Sequence, residues 1–239
     1  MTEGQEKRPL QDYFTAVPPH YDLINRLFTF GMDESWRKKT VALCLSSNPN
    51  KVLDLCCGTA DMAIRVARNA PQGTEVVGLD FSATMLEIAR QKAAKANLAS
   101  PPVFIHGDVN DLPFPSNYFD AMVIGFAFRN LTYNNPRTER YLSEIVRILK
   151  PGGQFLIVES SKPPNKLIRK IGHWYVGTFV PLLGSWISKN RAPYQYLADS
   201  SRNFYTAEEL ADLLVKAGFT KVTVKRLFFG AAAIHVVTK

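Results

Sequence analysis

The sequence predicts an α/β fold: a mostly parallel sheet with helices on both faces, closed by an antiparallel hairpin. Two observations predict it. From residue 51 onward, short β-rich runs alternate with helical patterns through a fifth strand, which is how a parallel sheet with crossover helices reads. Beyond that the alternation stops, and KVTVKRLF and AAAIHVVTK form two β runs joined through Gly230, a connection short enough for a hairpin. Together these make a seven-stranded sheet. With 239 residues, 46% of them hydrophobic and 21% charged, residues 1–239 read as one domain able to bury a substantial core.

Taken in order, residues 1–50 read as a helical cap over the ligand edge of the sheet. Leu23, Leu27 and Phe30 recur at helical intervals, and Asp33 is placed to cap a helix running through Trp36 toward Leu45. KVLDL (51–55) is a buried strand with the helix TADMAIRVARNA behind it. EVVGLD (75–80) is the second strand, and a helix follows from Ser82 to about Asn97, with Met85, Leu86 and Ala89 on one face. VFIHGD (103–108) and YFDAMVIG (118–125) continue the series. A helix from Pro136 to Leu149 leads through the turn KPGG into QFLIVES, the fifth strand, and a last helix covers Thr206 to Ala217. Residues 162–200 lie outside this frame. They contain WYVGTFVPLLGSWI, in which Gly177, Pro181 and Gly184 are expected to interrupt regular helix. That insertion reads as a substrate lid.

Composition narrows the setting. Cys44, Cys56 and Cys57 offer neither a disulfide framework nor metal-ligand spacing, so no metal site is expected and a reducing cytosol is the natural compartment. MTEGQEKRPLQDYF mixes charges without an apolar run, which argues against a secretory signal, and no uninterrupted apolar stretch reaches the roughly 18 residues of a membrane span. The net charge is +8, and its location matters more than its size. No acidic residue lies between Glu159 and Asp199, whereas Lys162, Lys166, Arg169, Lys170, Lys189 and Arg191 all do.

In open α/β sheets ligands bind beyond the carboxyl ends of the strands. After the first strand comes Asp54-Leu-Cys-Cys-Gly58-Thr59-Ala-Asp61, where Gly58 lets backbone approach a ligand and the following helix offers N–H groups to an anion. A plain strand-to-helix turn is the competing reading. Asp80 ends the second strand, 26 residues after Asp54, as an acceptor for two ribose hydroxyls, with helix capping as its alternative. Past the third strand, Asp108 is placed for an adenine amino group and Val109 for the face of the ring. Three such loops point to a nucleoside cofactor. G-x-G-x-x-G is absent, since the turn reads C-C-G-T-A-D, so a cofactor without a pyrophosphate fits better than a dinucleotide.

Two longer runs carry a family resemblance. YDLINRLFTFG from Tyr21 to Gly31, with Trp36 after it, and RILKPGG from Arg147 to Gly153, with Glu159, Ser160 and Ser161 after it, resemble the two signatures of the ubiquinone/menaquinone C-methyltransferase family. GFAFRN (125–130) and YQYL (194–197), with Ser200, also match, and the resemblance covers essentially the whole chain. It implies a class I S-adenosylmethionine-dependent methyltransferase fold of Rossmann-like type. The cofactor would be S-adenosyl-L-methionine, the product S-adenosyl-L-homocysteine, and the substrate a lipid-tailed quinol, foremost demethylmenaquinol; the ubiquinone branch shares both signatures. Implied cofactor positions are Asp54, Cys56, Gly58, Thr59, Asp80, Phe81, Met85, Asp108, Val109 and Gly125. This chain departs from the pattern at Asp33, where His is frequent, at Cys56, where a small residue is usual, and at Gly125, where a cofactor-binding Ser is common. Peripheral contact with the inner face of the membrane, a homodimer and no nucleic-acid partner complete the expectations.

Methylating an aromatic carbon requires that carbon to become nucleophilic, which ionising an adjacent hydroxyl achieves. Arg129 is the first candidate to stabilise the oxyanion or orient water, an ion pair with a neighbouring helix being the alternative. Asp22 is a candidate proton acceptor or a helix cap, with Tyr21, Asn25, Asn130 and Tyr196 as further candidates. No histidine reads as a base: His106 and His235 fall within strands, and His20 and His173 on surface or lid. A carbon-5 pyrimidine enzyme needs a nucleophilic cysteine near the fourth or fifth strand, and all three cysteines precede residue 58. An adenine amino methyltransferase is disfavoured by GFAFRN after the fourth strand. O- or N-methylation of a small metabolite, and a non-enzymatic cofactor-binding protein, are the remaining alternatives.

Overall fold

The computed structural model describes residues 26, 28–188 and 192–239, with backbone alone at 183–188 and 192–194. Seven strands form one sheet: β1 (Lys51–Leu55), β2 (Glu75–Asp80), β3 (Val103–His106), β4 (Phe119–Gly125), β5 (Leu149–Ser160), β6 (Lys221–Leu227) and β7 (Ala232–Thr238). Their order is β3-β2-β1-β4-β5-β7-β6. β1 to β5 run parallel, and β7 is antiparallel to both β5 and β6. The chain builds outward from β1 to β3 and then returns to lay β4 against β1. That reversal opens a crevice above the carboxyl ends of the strands.

The central strands are apolar on both faces because helices cover both. Leu53, Met122, Ile124 and Phe155 pack on one side with Tyr141, Ile145 and Phe204. Val52, Ala121, Val123 and Leu156 pack on the other with Trp36, Val41, Ala63 and Val66. The covering helices are α1 (Met32–Leu45), α2 (Asp61–Asn69), α3 (Ala83–Lys95), α4 (Phe128–Thr132), α5 (Thr138–Ile148), α6 (Lys166–Ser188), α7 (Ala192–Asn203) and α8 (Ala207–Lys216). Ser82 caps α3 by accepting the Met85 N–H at 3.3 Å. Thr206 and Glu209 form a reciprocal capping box at α8.

Three local expectations change. Gly31, with φ 73°, takes the N-cap position of α1, and Asp33 sits inside the first turn, where a carboxylate is favoured by the exposed N–H groups. KPGG is no simple turn but a bulge within β5: Phe119 pairs with Leu149 and Ala121 with Gln154. Gly153 is required there, because a Cβ would meet the carbonyl oxygens of Lys150 at 2.8 Å and Asp120 at 2.9 Å. Within the insertion, α6 runs unbroken through Gly177, Pro181 and Gly184. Packing sustains it: Val176 and Val180 sit on Leu197 and Ala198 of α7, and Arg202 approaches Gly177 so closely that a Cβ there would lie 2.8 Å from its Nη1. Leu23 and Leu27 lie outside the described residues.

Candidate active site

A cavity of about 620 Å³ fills the crevice, lined by the loops after β1, β2, β3 and β4. After β1 the chain must turn sharply, and Cys56 (φ 54°), Gly58 (φ 53°) and Ala60 (φ 68°) all adopt left-handed conformations. For a non-glycine residue this is strained, and strain of this kind gathers at binding sites. Asp80 accepts the Gly58 N–H at 2.8 Å on Oδ2 and the Ser82 N–H at 2.9 Å on Oδ1. A carboxylate has about four acceptor sites, so Asp80 keeps capacity for ribose hydroxyls beside these backbone donors. Burial raises the Asp80 pKa, with the backbone N–H groups opposing it. Asp108 fixes its own turn through the Asn110 N–H at 2.9 Å, and Val109, Phe81 and Met85 supply apolar wall beside it. Thr59 and Asp61 are tied to α3 by Lys92, whose Nζ lies 3.1 Å and 2.5 Å from their oxygens. These residues fit a nucleoside cofactor.

Gly125, Arg129 and Asn130 reach the same cavity from the end of β4 and from α4. Arg129 is buried, and its Nη1 meets Glu159 Oε1 at 2.7 Å. Glu159 Oε2 also accepts the Arg129 backbone N–H at 3.2 Å. The ion pair is therefore with β5, not with a helix. Tyr196 donates to Asn130 Oδ1 at 3.3 Å but does not itself line the cavity; burial pushes its hydroxyl pKa up.

Asp54 also stands back from the cavity lining. It is buried beneath the turn and accepts the Ala63 N–H at 2.8 Å, so one N–H of the α2 N-terminus is already taken. Burial pushes its carboxyl up to about 8. The cysteines are no nucleophiles, since burial raises the thiols of Cys56 and Cys57 well above their ordinary range. His106 contacts the Phe81 carbonyl at 2.7 Å and His235 the Ala207 carbonyl at 2.9 Å. Tyr21, Asp22 and Asn25 lie outside the described residues. The sequence reading missed Arg37 and the role of Glu159. Arg37 had a signal, as it falls one residue after Trp36 and four after Asp33 on a helical face.

The mouth of the cavity is apolar. Ile171 and Trp174 of α6 and Phe228 and Phe229 from the β6–β7 connection line it and remain exposed. Phe30 stacks on Tyr175, and Tyr175 on Phe179, each pair 5.5 Å between ring centroids.

The fold and these loops define an S-adenosylmethionine-dependent methyltransferase. Among solved structures, a SAM-dependent methyltransferase from Aquifex aeolicus superposes with a TM-score of 0.56 at 19% identity, covering 83% of this chain and 88% of that one. The chain belongs to the ubiE/COQ5 methyltransferase family, which it matches over residues 1–239. It is 40% identical to a demethylmenaquinone methyltransferase from Lactiplantibacillus plantarum, over 96% of this chain and 95% of the relative. A ubiquinone/menaquinone biosynthesis C-methyltransferase, UbiE, from Pseudomonas putida is 35% identical over 98% of this chain and 90% of its own length.

Proposed function

We propose that this methyltransferase acts on a ring carbon of a lipid-tailed hydroquinone, converting demethylmenaquinol to menaquinol at the inner face of the membrane. The observation that carries this reading is a single cavity that is polar at the cofactor loops, passes Arg129 and opens between Ile171, Trp174, Phe228 and Phe229. A soluble metabolite has no use for such a mouth. The names of the relatives agree, and because the Pseudomonas putida relative is named for both quinones, a benzoquinol of the ubiquinone branch is the second reading.

Bound S-adenosylmethionine supplies an electrophilic methyl group. Asp80 and the Asp108–Val109 loop would hold its nucleoside, with Gly58 and Thr59 lining the approach. A phenolic hydroxyl has a pKa of about 10, so the site must take up its proton or hold the oxyanion. Arg129 stays protonated, and Glu159 fixes its position, so it presents a permanent positive charge where that oxyanion forms. Asn130, steadied by Tyr196, lies beside it. The α6–α7 pair shields the cavity from water.

Mass spectrometry of quinones extracted from cells lacking the protein tests this. Accumulated demethylmenaquinone is expected. A demethylated ubiquinone precursor would assign the other branch, and normal pools of both quinones would overturn the proposal.

A further inference from the structure

Arg37 leans from α1 into the cavity at the end of β4. Its guanidinium lies 5.0 Å from the centre of the Phe126 ring, and its Nη1 rests so near Gly125 that a Cβ there would meet it at 2.9 Å. Asp33 Oδ2 is 3.6 Å from Nε, outside hydrogen-bond reach, while Asp33 Oδ1 accepts the Thr29 hydroxyl at 2.7 Å. Nε is buried with no hydrogen-bond partner among the described residues. Such a donor is expensive to leave unmade. An arginine lining the cavity, held by a ring and a glycine and paired with Asp33 only at 3.6 Å, is matched to a carboxylate.

Sheet order says which carboxylate. Asp80 and Asp108, which suit ribose and adenine, follow β2 and β3, whereas Arg37 stands over the end of β4, across β1 from them. A nucleoside cofactor lying along this row places its far end at Arg37. In S-adenosylmethionine that end is an amino acid, with a carboxylate and an ammonium on one carbon. We infer that Arg37 binds the α-carboxylate of the cofactor and that Asp33, beside it on the cavity wall, faces the α-ammonium. The inference rests on the cofactor reading of the same cavity and adds two residues outside the strand-end loops.

Calorimetry with S-adenosylhomocysteine and with 5′-methylthioadenosine, which lacks the amino-acid end, provides the test. Arg37→Gln is expected to weaken S-adenosylhomocysteine by about 10- to 100-fold, the range for hydrogen bonds to charged groups, and to leave methylthioadenosine unchanged. Arg37→Lys, which keeps the charge and stem, should lose less and again on the carboxylate ligand alone. Equal weakening of both ligands in the lysine variant would mark Arg37 as structural and overturn the inference. So would unchanged affinity for both, whether or not the KM of a short-tailed quinol rises. Failure of wild-type protein to bind S-adenosylhomocysteine would instead remove the cofactor reading itself.

Discussion

Both oxygens of Asp80 already accept backbone N–H groups, so the carboxylate is oriented before a ligand arrives. Asp80→Ala should therefore weaken S-adenosylhomocysteine by about 1.5 to 3 kcal/mol, and unchanged affinity in the folded variant, measured by calorimetry, would remove its assignment to ribose. Arg129 differs in kind. The charge it answers develops mainly on the way to the transition state, so Arg129→Ala should cut kcat while cofactor affinity holds, and Arg129→Lys should recover part of the loss. Parallel loss of both quantities would make the Arg129–Glu159 pair a structural one. Asp54 predicts a pH effect. The folded protein holds a proton on Asp54 up to a pH of about 8, while the unfolded chain releases it near an ordinary carboxyl value of about 4. With its folded pKa raised, this group makes stability fall as pH rises through that window. Asp54→Asn still accepts the Ala63 N–H, and in urea titrations it should gain on wild type between pH 5 and pH 8; a constant difference would show Asp54 ionised in the fold. Asp80 and Asp108 were legible in the sequence because strand ends announce them. Glu159 was not, because its buried ion pair with Arg129 joins residues far apart in sequence, and Arg37, despite its helical spacing from Asp33 and Trp36, meets the cavity only once α1 is laid on the sheet.

Among the elements, the strands were read nearly to their ends, since buried parallel strands are short apolar runs between turn residues. The insertion was misread at α6, where glycine and proline outweigh the apolar periodicity in any local reading. What overrides them is α7, which packs Leu197 and Ala198 on Val176 and Val180 and brings Arg202 against Gly177. Gly177→Ala should thus displace the Arg202 guanidinium and bring no gain in melting temperature, although alanine is the better helix former. A variant more stable than wild type would show that Arg202 yields freely. At α8 the Thr206–Glu209 capping box closes the start of the helix, and Thr206→Ala is expected to cost about 1 kcal/mol in chemical denaturation.

At the scale of the molecule, exposed apolar side chains and positive charge share α6. Leu167, Ile171, Trp174 and Leu182 of α6 are exposed, with Lys166, Arg169 and Lys170 beside them in sequence. Among the described residues no helix is long and apolar enough to cross a membrane. The protein is expected to float with anionic vesicles at low salt. Replacing those three cations by Glu should abolish flotation, at up to about 1 kcal/mol for each lost charge, while a short-tailed quinol is still methylated. Equal flotation of both proteins would place the surface elsewhere. The turn between β6 and β7 lines the same cavity as Ile171 and Trp174. Phe228 (φ 41°) and Phe229 (φ 54°) hold a left-handed backbone that suits glycine or asparagine, and both rings face outward at the cavity mouth. A turn chosen for firmness would carry neither ring. Phe229→Asn should therefore raise the melting temperature by relieving a conformation that costs about 1 to 2 kcal/mol, while slowing turnover of a long-tailed quinol presented in vesicles. The doorway is kept greasy at the expense of the hinge on which it hangs.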